Sequence, residues 1–172
     1  MKKELKEVIN KYQLCKVNAM EVITCGGKYK SNVEYLNQYG TKELFENLDC
    51  LLKVLNVFRQ LYNKPFIINS GFRASEHNAN VGGVKNSKHT QCLAVDIKDI
   101  DGEIDEWFLK PEIKLMLQQW ECAVESPRYT KNWAHFQATL PASKKIVFKP
   151  YTREPNEREL DEHFSYLKEQ NL

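Results

Sequence analysis

Apolar residues fall at helical spacing in several stretches, separated by short β-type runs. Leu5, Val8, Ile9 and Tyr12 are spaced for a short amphipathic helix. Cys25-Gly26-Gly27 and Tyr39-Gly40-Thr41 then read as turns. From Thr41, a candidate N-cap, Leu44, Leu48, Leu51, Leu52, Leu55, Phe58 and Leu61 recur at three- and four-residue steps and predict a long helix with one buried face. Asn63-Lys64-Pro65 ends it, because proline supplies no backbone N–H. Strands are predicted at Phe66–Asn69, Leu93–Ile97, Cys122–Val124, Trp133–Gln137 and Ile146–Phe148. Pro111 suits the first position of a helix running through Trp120. Asn156 with Glu159 resembles a capping pair for a last helix whose stripe of Leu160, Phe164 and Leu167 reads as core packing, with a docking surface for another chain as the alternative.

Helices first, short strands in the middle and connections too brief for βαβ crossovers predict an α+β class: a small, mainly antiparallel sheet with flanking helices. A length of 172 residues suits a single domain, 1–172, able to bury its own core. The chain is 42% hydrophobic and 28% charged, which excludes collagenous and fully disordered classes. A net charge of +2 is too small to argue for nucleic acid or a membrane surface as partner. No membrane span is expected, and the absence of an apolar run after Met1–Glu7 predicts cytoplasmic synthesis without an export signal. Cys15, Cys25, Cys50, Cys92 and Cys122 contain no C-x-x-C pair, so reduced, mostly buried thiols are expected.

Three residues stand out chemically. His89 and His135 each lie beside a predicted strand, and Asp96 sits inside the apolar run Leu93-Ala94-Val95-Asp96-Ile97. A carboxylate there is costly to bury unless it is paired or binds a cation. Two imidazoles and a carboxylate form a three-ligand set of the kind that leaves a fourth zinc position open for chemistry. On spacing alone, ordinary buried histidines and a surface aspartate remain the competing reading.

The segment from Ile68 to Ile97 contains Ser70-Gly71-Phe72-Arg73, Asn78, Val81-Gly82-Gly83, Ser87-Lys88-His89 and Ala94-Val95-Asp96-Ile97, and His135-Phe136-Gln137 follows later. Over about residues 51–137 this resembles the zinc D-Ala-D-Ala carboxypeptidase and L-alanyl-D-glutamate endopeptidase family. The resemblance implies the α+β fold shared with the hedgehog signalling domain, with N-terminal helical and C-terminal strand–helix extensions outside it. It also implies zinc held by His89, Asp96 and His135, with Arg73 on a substrate carboxylate or carbonyl and Ser87 in support. A guanidinium fork matches a carboxylate bidentately, although a structural ion pair is the plain alternative for Arg73. Gly82-Gly83 is expected to make a positive-φ turn capped by Asn78, and His77 and His163 are expected at the surface.

Two positions depart from that pattern. Cys92 stands where the family usually has glycine, and is expected to be one small residue replacing another rather than a ligand. Asn132 stands three residues before His135, where the family places the acid that takes a proton from the attacking water. An amide cannot act as that base, but it can orient water or substrate. Glu125 is the best substitute base, with Glu121 behind it.

The expected function is therefore a zinc metallopeptidase of D,D-carboxypeptidase or L,D-endopeptidase type, acting on peptidoglycan peptides as a phage endolysin or virion-associated lysin. It would act at the virion or at the cell wall on lysis. The alternative is a catalytically silent wall-binding or virion structural module with virion partners, and a weaker third reading is a peptidase for ordinary cytoplasmic peptides.

Overall fold

The fold is known from a computed structural model that describes residues 1–139. The predicted strand at Ile146–Phe148, the last helix and His163 lie outside the described residues. Among those described there are seven helices and one four-stranded sheet, an α+β arrangement. Helix α1 spans Lys3–Lys11, and it buries Leu5 and Val8 with Tyr12 just beyond its end. Helices α2 (Ala19–Ile23) and α3 (Ser31–Tyr39) follow. Asn18 opens α2 in a reciprocal capping box with Glu21, a signature of a helix start that the apolar pattern alone does not show.

Helix α4 runs Lys42–Tyr62, with the Thr41 side chain accepting from the Leu44 N–H and Asn63 ending it in the left-handed region. Leu48, Leu51, Leu52, Leu55 and Phe58 are buried as the spacing predicts, whereas Leu61 is left exposed in the final turn. Strand β1 is Ile68–Ser70, two residues later than predicted at its start. Phe66 packs in the core without joining the ladder. Helix α5 (Ser75–Asn80), strand β2 (Ala94–Lys98), helix α6 (Glu103–Phe108) and helix α7 (Pro111–Gln119) come next, with Pro111 at the start of α7. Strands β3 (Ala123–Val124) and β4 (Trp133–Gln137) complete the sheet. Helices α2, α3, α5 and α6 were not among the predicted elements. Three of them are only five or six residues long, too short to show a periodicity.

The order β1-β2-β4-β3 is antiparallel throughout. Side chains alternate across a strand, so Val95 and Ile97 of β2 and Ala134 and Phe136 of β4 enter the core. Phe58 of α4 sits at the centre of that face, its ring 5.5 Å from Phe136 and 5.9 Å from Phe108. Asp96 and His135 belong to the opposite set of positions. The N-terminal helices share the same apolar cluster, through Leu5, Val22, Ile23 and Leu36.

Two loops brace the sheet. The Phe72 N–H donates to the Val22 carbonyl at 2.9 Å, and Asn32 spends its amide N–H groups on the Ile23 and Phe72 carbonyls. Gly71 lies so close to α2 that a Cβ there would fall 2.0 Å from the Val22 carbonyl oxygen. At the far end of β2 the Asp99 carboxylate accepts from the Ile104 and Asp105 N–H groups at the start of α6. Asp105 is itself buried. Burial, and then the charge of Asp99, push its carboxyl up to about 8.

Of the five cysteines, Cys25, Cys92 and Cys122 are buried, Cys15 and Cys50 are exposed, and all are free thiols. No helix among the described residues is long and apolar enough to cross a membrane.

Candidate metal centre

The sheet register places four polar residues in a row. Ser70 pairs with Asp96, and Asp96 with His135. Continuing past Val124–Phe136, the Glu125 N–H donates to the His135 carbonyl at 3.0 Å, which sets Glu125 opposite His135. Residues opposite one another in an antiparallel ladder share a face. In such a ladder, narrow and wide pairs alternate. His135 spends its carbonyl on Glu125, so Asp96–His135 is the narrow, non-hydrogen-bonded kind, with Cα atoms about 4.5 Å apart and side chains close.

His89 reaches the row from the loop before β2. Its turn is built by Ser87, whose buried Oγ accepts from the His89 N–H at 3.3 Å and whose carbonyl accepts from Thr90. The ligand atoms offered by His89, Asp96 and His135 all lie within 4.8 Å of one another. Three independently positioned elements thus converge on one point.

The proton positions show what that point suits. His89 Nδ1 is 2.7 Å from the Gly71 carbonyl, which only accepts, so Nδ1 carries the proton. Burial foremost, partly offset by Asp96, lowers the His89 pKa, so the ring is neutral and Nε2 is a bare lone pair. That lone pair faces Asp96 Oδ1 at 3.3 Å. Two acceptors facing each other in a buried site repel unless a cation lies between them. The separation also agrees with the roughly 3.4 Å that bond lengths of about 2.0–2.2 Å impose on neighbouring ligands in a tetrahedral zinc site. The donor set therefore fits a zinc ion.

His135 Nδ1 lies 2.8 Å from the same Asp96 Oδ1, a hydrogen-bond distance with a proton between them. Burial opposes charge on this ring, but the Asp96 hydrogen bond and the charges of Asp96 and Glu125 outweigh it and raise its pKa. Its Nε2 faces Gln137 Oε1 at 3.4 Å, and Gln137 is oriented by donating to the Thr139 carbonyl. Gly71 and Gln137 thus give each histidine a carbonyl that fixes its ring, as the outer partners of metal-bound histidines do. Neither residue stood out chemically in the sequence. Strand alternation does put Gln137 on the face of His135.

Asp96 is held from its other side by Arg73, whose Nη2 donates to Oδ2 while Nε donates to Ser70 Oγ at 2.8 Å. Burial works against the Asp96 charge, yet His89 and His135 outweigh it and keep the carboxyl far below the usual range. Arg73 occupies the place of a structural ion pair. Three of its five N–H donors are not committed in these two bonds.

The remaining candidates divide. Glu125 joins the row and is half-buried. Asn132 does not join it: it is exposed at the entry to β4, in the left-handed region at φ 70°, with its carbonyl accepting from the Asp99 N–H. Three residues along a strand is roughly 10 Å. Glu121 is exposed in the turn after α7. Cys92 sits buried in the core at φ 57°, its thiol pushed up by burial and outside the ligand group, which explains why glycine suits that position. Gly82 has φ 71°, and Asn78 donates to the Val84 carbonyl to close the turn as expected. His77 is half-buried rather than free at the surface, stacked on Tyr29 at 3.6 Å.

A family model described as Peptidase M15 matches residues 20–135. The chain belongs to the Peptidase M15 family. This is a family of zinc metallopeptidases of the D-Ala-D-Ala carboxypeptidase type, and the match holds His89, Asp96 and His135 within its bounds. It begins inside α2, so it takes in more of the N-terminal region than the resemblance over about 51–137 does. No curated protein matches the chain.

Proposed function

We propose that this M15 peptidase hydrolyses peptidoglycan stem peptides next to a D-amino acid, with Glu125 as its general base. The observation that carries the reading is the row Ser70–Asp96–His135–Glu125, with His89 delivering a bare Nε2 to it. His89, Asp96 and His135 would hold the zinc, which when bound polarises a carbonyl and makes water easier to deprotonate. Glu125 stands across the ladder from His135, where its carboxylate can take a proton from attacking water and return it to the leaving amine. Arg73 pairs with Asp96 and turns its unspent donors toward a substrate carboxylate or carbonyl. Ser87 holds the His89 turn rather than reaching outward. Asn132, on the rim, supplies an amide to the substrate backbone.

The experiment is release of D-amino acids from purified peptidoglycan by zinc-loaded protein, beside a panel of all-L peptides. Release from the wall polymer, absent in Glu125→Gln with zinc content unchanged, supports the reading. Preference for the L-peptides would replace it with an ordinary peptidase. A second reading, a silent wall-binding or virion module, is favoured by the amide at Asn132. It would be established by zinc binding without hydrolysis in wild type and hydrolysis in Asn132→Asp. Action as a phage endolysin or virion-associated lysin is part of the proposal, tested by whether the protein lyses whole bacteria whose walls it digests.

A further inference from the structure

One residue beyond Arg73 the chain enters a cavity of about 480 Å³ between α3 and α5. Its walls include Tyr29, Tyr35 and His77, with Asn32 at its base and Glu76 among its lining. The Tyr29 and His77 rings are stacked with planes 26° apart. His77 is an aromatic plate rather than a cation. Its Nδ1 is buried without a hydrogen-bond partner among the described residues, so a proton there would have no acceptor. Burial first, then the charge of Arg73, lowers its pKa further.

The wall carries one formal charge, the Glu76 carboxylate, beside the uncharged polar side chains of Ser31, Asn32 and Asn80. Asn32 has spent both amide N–H groups on the Ile23 and Phe72 carbonyls, which leaves its Oδ1 as an acceptor. Glu76 forms no ion pair among the described residues, and no lysine or arginine lines the cavity. Aromatic faces attract a cation through their quadrupole, and most strongly when an anion is beside them. Acceptors, π faces and a carboxylate with no competing cation suit an ammonium group.

We infer that this cavity is a specificity subsite for a primary ammonium carried on a side chain of the peptide substrate, as in a stem peptide with a diamino acid. The inference rests on the peptidase reading for its substrate. The placement fits, because Ala74 of the lining follows Arg73, whose backbone N–H donates to the His89 carbonyl at 3.2 Å. The bound side chain would set which peptides are cut, while the reacting groups stay in the row described above.

The test uses two peptides ending in D-alanine, one with lysine and one with Nε-acetyl-lysine in its place. Calorimetric binding to metal-free protein is measured alongside kcat and KM of zinc-loaded protein. The lysine peptide is expected to bind about tenfold tighter and to have a KM lower by a similar factor, with kcat unchanged. Glu76→Gln and Tyr29→Leu should each erase the difference. Glu76 is exposed, so Glu76→Gln decides alone if Tyr29→Leu does not fold. A wild-type difference below about twofold, or a preference that survives Glu76→Gln, overturns the subsite. Preferential binding without cleavage of either peptide would leave the subsite standing and remove the peptidase reading. Equal cleavage and equal binding would do the reverse.

Discussion

The two flanks of His135 are built differently. On one side stands β2, where Asp96 is buried and touched by both histidines and Arg73, with the Gly71 carbonyl and Ser87 fixing His89 behind it. On the other stands β3, a two-residue edge strand that presents Glu125 half-buried, set by one ladder bond to His135. A metal ligand must be held in place before the ion arrives, and buried hydrogen bonds supply that order. A base has to move a proton, and an edge position leaves it contact with water. The difference teaches that the two tasks can be assigned from how tightly each flank is held, before any substrate is seen.

The largest way to break the comparison is Asp96→Ala. Arg73 then loses its partner inside the site, and removing one member of a buried pair costs about 3–5 kcal/mol. Zinc content should fall to background, and the thermal midpoint should drop in the same sample. Next is Glu125→Gln, which should lower kcat about 10²–10⁴-fold with zinc retained, while Asn132→Ala stays within about threefold. If Glu125→Gln costs less than Asn132→Ala, Glu125 is not the base.

A smaller effect is expected at Gln137→Leu, which removes the carbonyl facing His135 Nε2. Zinc affinity by competition with a chelator should weaken about 10- to 100-fold, and the folded structure should persist. In pH titrations the same affinity should fall as pH drops below neutrality. The His135 pKa is raised, so protons compete with the metal from a pH above the ordinary histidine value of 6.5.

The smallest change concerns neither flank. Asp105 ionises near 3.8 in an unfolded chain but only near about 8 when folded, so between those values the folded state holds a proton that the unfolded state has released. Stability contributed by this residue is therefore lost as pH rises through that window. Asp105→Asn should stabilise the protein by about 2 kcal/mol at pH 8 and have almost no effect at pH 4, read from denaturant midpoints. Equal effects at both pH values would refute the protonated state.

The sheet was legible because β2 and β4 carry five-residue runs that end on turn residues, and α4 because its apolar stripe continues for five turns. His89, Asp96 and His135 stood out as the few metal-type donors beside apolar strands. What could not be read was pairing. Only the register shows that Glu125 lies opposite His135, and that Asn132, three positions away along the chain, lies off the row. Helices α2 and α3 were opaque for another reason. Their role is carried by backbone groups such as the Val22 carbonyl, and a carbonyl has no letter in the sequence.

That carbonyl has a practical reach. Gly71 is pressed against Val22 while its own carbonyl holds His89, so α2 forms the back wall of the metal-binding frame. A fragment trimmed to begin at Lys42 would keep all three ligands and lose the wall that aims one of them. Swaps that graft this catalytic unit onto other modules should keep α1 as well as α2, because Leu5 and Val22 share one core.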